Sequence, residues 1–257
     1  MRQVADDLKK KVRVLCVVMT YPENHKKTAV HVQATWGRRF NKLLFVSEND
    51  DTNGSLPIIV VAANLTGREH LTAKTMRSFD YVYKHHFDDA DWFMKTDDDT
   101  YVIVENLRYF LSEQNASEPV FFGHHFHVIV QPQGYFSGGG GYVLSREALK
   151  RFGERGPGIC SEDSGAEDVQ IGTCMQNLGV KTGNARDALG RSRFHCFDPE
   201  THIHGGYPDW YFKYDSVGGQ KVSLSRFVGV TQYNYSIKKT PVAFAVNDSE
   251  LNFALHI

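Results

Sequence analysis

The sequence has no basic excess and no long hydrophobic run, and each absence excludes a class of protein. Its 257 residues carry 29 Lys and Arg against 30 Asp and Glu, which gives a formal net charge of −1. Nucleic-acid-binding proteins show a basic footprint that is missing here, so we expect no nucleic-acid partner. No apolar run approaches the roughly 18 residues that a membrane-spanning helix needs. The polar segment 1–11 also lacks the apolar core of a secretory signal.

Cysteine is scarce, and its spacing argues against a zinc site. The four cysteines form no C-x-x-C pair and have only scattered histidines beside them. Cys160 and Cys174 are close enough in sequence to be bridged across a loop and a helix. The alternative is that all four are buried free thiols, Cys16 and Cys196 included, because connectivity cannot be read from sequence.

Sequons for N-glycosylation are more frequent than expected. Chance gives roughly one or two Asn-x-Ser/Thr sequences in a chain of this length. This chain has five, which begin at Asn53, Asn64, Asn115, Asn234 and Asn247. The excess favours a protein of the secretory pathway.

Apolar β-branched runs alternate with amphipathic segments along most of the chain. The pattern predicts strands at 12–20, 42–47, 57–63, 91–96, 120–124 and 142–144. It predicts helices at 25–36, 70–86, 104–112, 146–152 and 167–177. From about residue 215 onward the periodicity is weak and strand-like. The alternation indicates one α/β domain with an open, mostly parallel sheet and helices on both faces.

An acidic run, Asp97-Asp98-Asp99, directly follows the predicted strand at 91–96. Ligands of parallel sheets bind beyond the carboxyl ends of the strands, which is where this run falls. Three adjacent carboxylates repel one another unless a cation or solvent offsets their charge. In extended backbone Asp97 and Asp99 would face one site and Asp98 the opposite side, and their hard oxygens suit Mg²⁺ or Mn²⁺. The alternative is a solvated acidic turn that caps the next helix.

The acidic run and its flanks resemble a known family. Residues 89–101, DADWFMKTDDDTY, are similar to the Asp-x-Asp region of the inverting β1,3-glycosyltransferases that include fringe and the core 1 galactosyltransferases. Five ordered blocks in all agree, which is far more specific than one motif, and the agreement is fullest with the core 1 branch. The other four are 14–20 (VLCVVMT), 31–37 (HVQATWG) with 41–42, 133–148 (QGYFSGGGGYVLSREA) and 164–172 (SGAEDVQIG).

The resemblance implies a GT-A fold over residues 1–215, with a Rossmann-like, mostly parallel central sheet flanked by helices. Residues 216–257 are then a divergent tail and not a separate domain. The family uses a UDP-sugar donor and inverts the anomeric carbon. The core 1 branch further implies Mn²⁺ as cofactor and transfer of galactose from UDP-galactose to the 3-hydroxyl of GalNAc α-linked to Ser or Thr of glycoproteins.

The resemblance also carries an expected setting. The family works in the Golgi lumen, where an N-terminal helix anchors it to the membrane. No such helix is visible in this sequence, so we expect membrane attachment only through an anchor outside it. The expected partners are a UDP-sugar and a GalNAc-bearing glycoprotein or glycopeptide, and a homodimer is the assembly considered.

Glu167 and Asp168 open a predicted helix. Carboxylates are favoured at helix N-termini by the exposed backbone N–H groups, so a capping role is the alternative for both. Inverting transfer needs a base that takes the proton of the acceptor hydroxyl, and the resemblance assigns that base to the block 164–172. We predict that both acids are catalytic residues, and we choose Asp168 over Glu167 as the base.

Several residues are expected to contact the donor. Thr20 ends the first strand at the edge where ligands bind, and Asp97 and Asp98 belong to the same edge. Lys74, on the predicted helix at 70–86, could pair with a phosphate. The alternative for Lys74 is a solvated helix lysine.

Glycine and aromatic runs supply two further candidates. Four glycines follow Ser137 and predict a loop at 137–141 whose backbone can approach a ligand closely, although a tight turn is the alternative. On the resemblance, Gly139 and Gly140 border the donor sugar. The aromatic run 210–212 (WYF) resembles the family's segment near the acceptor, whereas partial burial in the core is the alternative.

The tail departs from the family pattern. The core 1 branch continues into a paired-cysteine block and a His-Tyr-Val segment, whose histidine completes the metal site. Residues 216–230 contain neither. We therefore predict a metal site of Asp97, Asp99 and His202, with water or His204 as the alternative third ligand.

The departures leave two further functions open. Phe40 stands where the resemblance places the partner of Cys16, so that bridge is also lost. One alternative is a related enzyme that uses another UDP-sugar. The other is a catalytically silent binding or chaperone-like relative. The retained acidic run and the Glu167-Asp168 pair favour an enzyme, whereas the missing histidine favours the silent relative.

Overall fold

The computed structural model describes most of the chain. The described residues are 2–50, 54–61, 63 and 65–215, with the backbone of 229–230, 244–247 and 252–255. Most of the predicted tail therefore lies outside the described residues, as do the sequons at Asn53, Asn64 and Asn234.

Helices are short to medium in length. They are α1 (Arg2–Lys11), α2 (Val30–Ala34), α3 (Leu71–His86), α4 (Val104–Leu111), α5 (Arg146–Arg155), α6 (Glu167–Asn177), α7 (Pro199–His204) and α8 (Tyr211–Tyr214). A π-helical turn, His25–Ala29, precedes α2, so the helix predicted at 25–36 is not continuous. Within the described residues, no helix combines the length and the apolar character needed to cross a membrane.

Strands follow the predicted alternation with helices. They are β1 (Val14–Met19), β2 (Lys42–Val46), β3 (Ile58–Ile59), β4 (Trp92–Asp97), β5 (Tyr101–Val102), β6 (Val120–Phe126), β7 (Tyr135–Ser145), β8 (Lys181–Thr182), β9 (Phe194–His195), β10 (Gly229–Val230), β11 (Phe244–Asn247) and β12 (Asn252–Leu255). The strand predicted at 57–63 is reduced to the two residues of β3, which pair with Phe45 and Val46 at the end of β2.

The central sheet has seven strands in the order β3-β2-β1-β4-β7-β6-β8. All neighbours are parallel except at β7, which runs antiparallel to both β4 and β6. The predicted α/β architecture, a mostly parallel central sheet flanked by helices, is confirmed. A second sheet joins β5, β10 and β9.

The hydrophobic core lies in two layers, one on each face of the sheet. Successive side chains of a strand point to opposite faces, so Leu15 and Val17 pack in one layer and Val14 and Cys16 in the other. The first layer contains residues of α3, α5 and α6, and the second contains residues of α1 and α4. Because β1 is buried on both faces, its nearly continuous apolar sequence is what a central parallel strand requires.

The glycine-rich run is part of β7 and not the predicted loop. Pairing with β6 moves in one step from Tyr142 to Ser137, so the glycines 138–141 bulge out of the ladder. Gly141 has a φ of 67°, and a Cβ there would lie 3.0 Å from the carbonyl oxygen of Lys95. Only glycine fits this close crossing over β4. Its turn-like composition is what made the sequence prediction wrong.

A disulfide joins Cys160, in the segment after α5, to Cys174 in α6. This confirms the bridged alternative for that pair. Cys16 is a buried free thiol and Cys196 is a half-buried one. The bridge ties down the segment that leads into the first turn of α6, where Glu167 and Asp168 lie.

Candidate active site

A cavity of about 650 Å³ opens at the carboxyl edge of β1 and β4. The two strands pair in parallel from Val14 opposite Trp92 to Met19 opposite Asp97, so the residues that follow them meet at one edge. The volume lies in the range of roughly 300 to 1,000 Å³ that is usual for ligand pockets. Its wall includes Thr20, Glu48, Arg68, Lys74, the acidic run 97–99 and Gly139.

Asp98 is fixed by side chains that follow β1. Its Oδ2 accepts a hydrogen bond of 2.6 Å from the Thr20 hydroxyl, and its Oδ1 accepts one of 3.3 Å from the Asn24 amide. The backbone turns after Asp97, whose carbonyl accepts a hydrogen bond of 3.2 Å from the Thr100 N–H. All three aspartates therefore line the cavity. The expectation that Asp98 faces away is wrong, because the extended strand ends at Asp97.

Asp99 carries an unfavourable charge. Burial, together with the charges of Asp97 and Asp98, raises the pKa of Asp99 to about 6. A bound cation would offset such a cluster of negative charge, and carboxylate oxygens suit Mn²⁺. Within the described part of the chain, however, no group of three His, Cys, Asp or Glu side chains is arranged to hold a metal ion. The carboxylates of Asp97 and Asp99 are the side chains whose chemistry fits such an ion.

His202 does not join the two aspartates. Its Nδ1 hydrogen-bonds the Tyr207 hydroxyl at 2.9 Å, and its Nε2 accepts a hydrogen bond of 3.2 Å from the Phe197 N–H. The His202 ring also stands 4.5 Å from the ring of His195, centroid to centroid. Both ring nitrogens are thus engaged within the buried layer around α7, and the geometry gives no support to His202 as the third metal ligand. His204 is exposed at the end of α7.

Lys74 lies in the cavity wall, but it is already paired. Its ammonium contacts the carboxylate of Glu48 and donates a hydrogen bond of 3.1 Å to the carbonyl oxygen of Gly67. Both charged side chains are buried, so the alternative of a solvated helix lysine is wrong. Glu48 is not among the predicted site residues, although it follows the predicted strand at 42–47 and the strand-edge rule could have found it. Arg68, an exposed cation in the same wall, is not among them either.

Glu167 and Asp168 begin α6 and have different surroundings. Glu167 is buried, and its Oε1 accepts a hydrogen bond of 2.6 Å from the Tyr142 hydroxyl. Asp168 is half-buried and accepts its hydrogen bonds from backbone, at 3.3 Å from the Gly138 N–H and 2.9 Å from the Val169 N–H. Burial raises the pKa of the Asp168 carboxyl, although these backbone bonds oppose the shift. A raised pKa favours a general base near neutral pH.

The glycine bulge connects the two acidic regions. Gly138 contacts Asp168 through its N–H, and the next residue, Gly139, lines the cavity and accepts a hydrogen bond of 3.3 Å from the Thr100 hydroxyl. Gly140 instead lies against the backbone of His195, whose carbonyl oxygen would be 3.0 Å from an added Cβ. Of the two predicted glycines, Gly139 is therefore the one the structure puts in the cavity wall.

The aromatic run 210–212 is divided between the surface and the core. Trp210 and Phe212 are 45% and 48% exposed, whereas Tyr211 is 2% exposed. The Tyr211 hydroxyl reaches His124 Nε2 at 3.3 Å. The two flanking rings could therefore meet a ligand, and the middle ring is structural.

Comparisons with known proteins show the family to which this chain belongs. A family model described as Fringe-like matches residues 9–189. The chain belongs to the Fringe-like family. This member is 45% identical over 216 residues to glycoprotein-N-acetylgalactosamine 3-beta-galactosyltransferase 1 of Xenopus laevis, an alignment that covers 82% of this chain and 59% of the relative. The core 1 resemblance inferred from the five blocks is thereby confirmed.

More distant similarities of this Fringe-like chain are found in sequence and in structure. It is 30% identical over 173 residues to the beta-1,3-glucosyltransferase of Mus musculus, which covers 66% of the chain and 35% of that relative. Mouse xyloside xylosyltransferase 1 is similar in structure, with a TM-score of 0.49 at 12% identity over 87% of this chain and 98% of that one. The chain spans 59% of the Xenopus relative and 35% of the mouse glucosyltransferase, so it matches only part of each.

Proposed function

We propose that this chain is the catalytic part of an inverting, metal-dependent β1,3-galactosyltransferase. Its donor is UDP-galactose, and its acceptor is the 3-hydroxyl of GalNAc α-linked to Ser or Thr of a glycoprotein. The identity to the Xenopus galactosyltransferase supports this choice of donor and acceptor. One observation carries the proposal. The glycine bulge lines the cavity that contains the three aspartates, and the same bulge binds the carboxylate of Asp168 through its backbone.

The donor would bind with its diphosphate at the acidic end of the cavity. Asp97 and Asp99 would hold Mn²⁺, which neutralises the charge that develops on the departing diphosphate. Arg68 is the exposed cation of the wall and would face the same phosphates. Lys74, whose ammonium is engaged by Glu48, would shape the wall without meeting a phosphate.

Asp168 would act as the base. As the acceptor oxygen attacks the anomeric carbon, a carbon–oxygen bond forms and the bond to the diphosphate breaks, while Asp168 takes the hydroxyl proton. Attack opposite the leaving group inverts the anomeric carbon. The aromatic rings of Trp210 and Phe212 are exposed and would offer apolar faces to the acceptor sugar.

We further infer that the chain works in the Golgi lumen, attached to the membrane through an anchor outside this sequence. The Cys160–Cys174 bridge supports this setting, because disulfides persist in oxidising compartments and are rare in the cytosol. The homodimer considered above stays a prediction, to be checked by the mass of the purified protein in solution.

One assay tests the proposed activity. The chain is incubated with Mn²⁺, a GalNAc-bearing peptide and, in turn, UDP-galactose, UDP-GlcNAc, UDP-glucose and UDP-glucuronate. We expect a β1,3-linked disaccharide from UDP-galactose and at least about a 100-fold loss of rate in Asp168→Asn. Glu154→Gln, on an exposed part of α5, is the control and should keep the wild-type rate.

The other outcomes point to the alternatives. Transfer from a different UDP-sugar would identify a related enzyme. A folded chain that binds UDP and transfers nothing from any donor would overturn the catalytic proposal and favour the silent relative. A calorimetric titration in which UDP binds equally with and without Mn²⁺ would contradict the metal site at Asp97 and Asp99.

A further inference from the structure

A buried lysine stands between the two acidic regions of the site. Lys95 lies in β4 and is 3% exposed. Its ammonium is 2.7 Å from Oδ1 of Asp97 and 3.7 Å from Oε2 of Glu167. The first carboxylate belongs to the acidic run, and the second belongs to the first turn of α6. Lys95 therefore contacts both regions at once.

Strand geometry explains the contact between Lys95 and Asp97. Lys95 and Asp97 are two residues apart in extended backbone, so their side chains project from the same face of the sheet. Tyr142 of β7 is the register partner of Lys95, and its ring centroid lies 5.9 Å from the ammonium. The Tyr142 hydroxyl also donates to Glu167. Glu167 is thus held from two neighbouring strands, by Lys95 of β4 and by Tyr142 of β7.

The glycine bulge closes over this group. A Cβ at Gly138 would lie 3.1 Å from Oε2 of Glu167 and 3.7 Å from the ammonium of Lys95. The backbone N–H of Gly138 donates to Asp168. The residue that packs on the Lys95–Glu167 contact is therefore the one that also orients the proposed base. A shift of Glu167 would displace the start of α6 and the carboxylate of Asp168 with it.

A purely structural role does not account for the choice of residue. A buried ammonium is costly unless it is paired, and replacing a whole buried ion pair by well-packed apolar side chains is often neutral or stabilising. The contact instead joins the donor-binding run to the helix that carries the base. Lys95 is not among the predicted site residues, because a lysine at one strand position is ordinarily a solvent-facing residue.

We propose that Lys95 is a positioning residue, which anchors the first turn of α6 to the acidic run through Glu167 and thereby sets the place of Asp168 relative to the bound donor. Glu167 then serves as the anchor point and not as a second base. This inference rests on the proposed function and deepens it, because it assigns the residue that aligns the base with the donor.

The kinetic test uses Lys95→Met, which keeps the length of the side chain and removes its charge. We expect kcat for galactose transfer to fall about 100-fold, while KM for UDP-galactose and the calorimetric affinity for UDP with Mn²⁺ change less than about threefold. In an Asp168→Asn background, Lys95→Met should cause no further loss, because there is no base left to align. Lys150→Met, on an exposed part of α5, is the matched control and should behave as wild type.

Two results would overturn the proposal. One is a wild-type kcat in Lys95→Met, and a tenfold loss of UDP and Mn²⁺ affinity beside it would make Lys95 part of the donor site alone. The other is an equal loss of rate in the Asp168→Asn and wild-type backgrounds, which would have the same meaning.

A second measurement does not depend on activity. Amide hydrogen exchange of the peptide 164–172 is compared between the wild type and Lys95→Met. We expect faster exchange in the first turn of α6 in the variant, and unchanged exchange would overturn the anchor. If the wild type transfers no sugar, the proposed function fails while this measurement still decides the anchor. If Lys95→Met does not fold, Glu167→Gln takes its place in both measurements with the same expected results.

Discussion

Buried charges around the cavity are compensated residue by residue and in different ways. Lys74 is paired with Glu48, and Lys95 with Asp97 and Glu167. The charge of Asp98 is compensated less completely, because its partners are neutral hydrogen-bond donors. Burial raises the pKa of its carboxyl, and the hydrogen bonds from the Thr20 hydroxyl and the Asn24 amide only partly oppose this shift. Such arrangements cost stability in the free protein and recover it when a ligand of opposite charge binds.

Asp99 gives the first prediction at this scale. The pKa of the Asp99 carboxyl is about 6, above the ordinary 3.8. Its negative charge therefore lowers the stability of the folded protein, and this effect is complete above about pH 6. The effect disappears below about pH 4, where the carboxyl is protonated in both the folded and the unfolded protein. Asp99→Asn should therefore raise the free energy of unfolding by about 1 to 2 kcal/mol at pH 7.5 in EDTA. Urea unfolding measures the gain.

The same variant should lose Mn²⁺-dependent UDP binding by at least about tenfold, because it lacks one of the two proposed carboxylate ligands. Asp6→Asn, on an exposed part of α1, is the control and should change neither quantity. Equal stability of Asp99→Asn and wild type at pH 7.5 would mean that the charge of Asp99 is compensated in the free protein.

Lys74 gives a prediction about an ion pair. Lys74→Met leaves the buried carboxylate of Glu48 without its partner, so the free energy of unfolding should fall by about 3 kcal/mol. Lys84→Met is the matched control, because Lys84 pairs with Asp80 on the exposed side of the same helix and should change stability by less than about 0.5 kcal/mol. Comparable losses in both variants, measured by urea unfolding, would rule out a special role for the buried pair.

At the scale of elements, we expect an added methyl group to have different effects at two positions of the glycine bulge of β7. At Gly140 the added Cβ meets the backbone carbonyl of His195 at 3.0 Å, which cannot move easily. At Gly138 the added Cβ meets the end of the Glu167 side chain at 3.1 Å, and a side chain can shift more easily than backbone. Gly140→Ala should therefore lower the free energy of unfolding by about 1 to 3 kcal/mol.

Gly138→Ala should instead lose less stability than Gly140→Ala and lower kcat about tenfold, because it displaces Glu167 and the backbone donor of Asp168. Thermal unfolding and the transfer assay, run on both variants, measure the two effects. The expectation fails if the two variants lose activity and stability in the same proportion.

The elements that could be predicted from sequence are those whose pattern is local. The apolar run of β1 and the first residues of α6 were predictable because burial on both faces and helix-start chemistry leave clear traces. The bulge in β7 was not, because glycines placed for close packing look the same as glycines placed for a turn. The acidic run could be assigned to the sheet edge, but Lys95 gained its meaning only from Glu167, which is far away in sequence.

For the whole molecule, the sequon at Asn115 gives a prediction about modification. Asn115 and Ser117 are exposed, and the Asn115 side-chain oxygen accepts a hydrogen bond of 3.0 Å from the Ser117 N–H. They precede β6. Because β7 is antiparallel to both β4 and β6, β6 runs in the same direction as β4 and begins at the sheet edge opposite the cavity. Chain made in a secretory pathway should carry a glycan at Asn115 without loss of transfer activity.

Mass spectrometry before and after removal of N-glycans checks this prediction. Asn115→Gln and Ser117→Ala should both lose the glycan at this position and keep the wild-type rate. Unmodified Asn115 in chain secreted by the same cells would contradict it, as would a loss of activity in the unglycosylated variants.

The Cys160–Cys174 bridge also determines how the protein has to be produced. Cytosolic expression keeps thiols reduced, and the segment 161–166 would then be held only by contacts such as the hydrogen bond of 3.0 Å from the Thr72 hydroxyl to the Ser164 carbonyl. Glu167 and Asp168 follow this segment directly, so chain from a reducing host would present a loosened first turn of α6. Preparations for assay therefore belong in a periplasmic or secretory host, with the bridge verified by intact mass before any rate is compared.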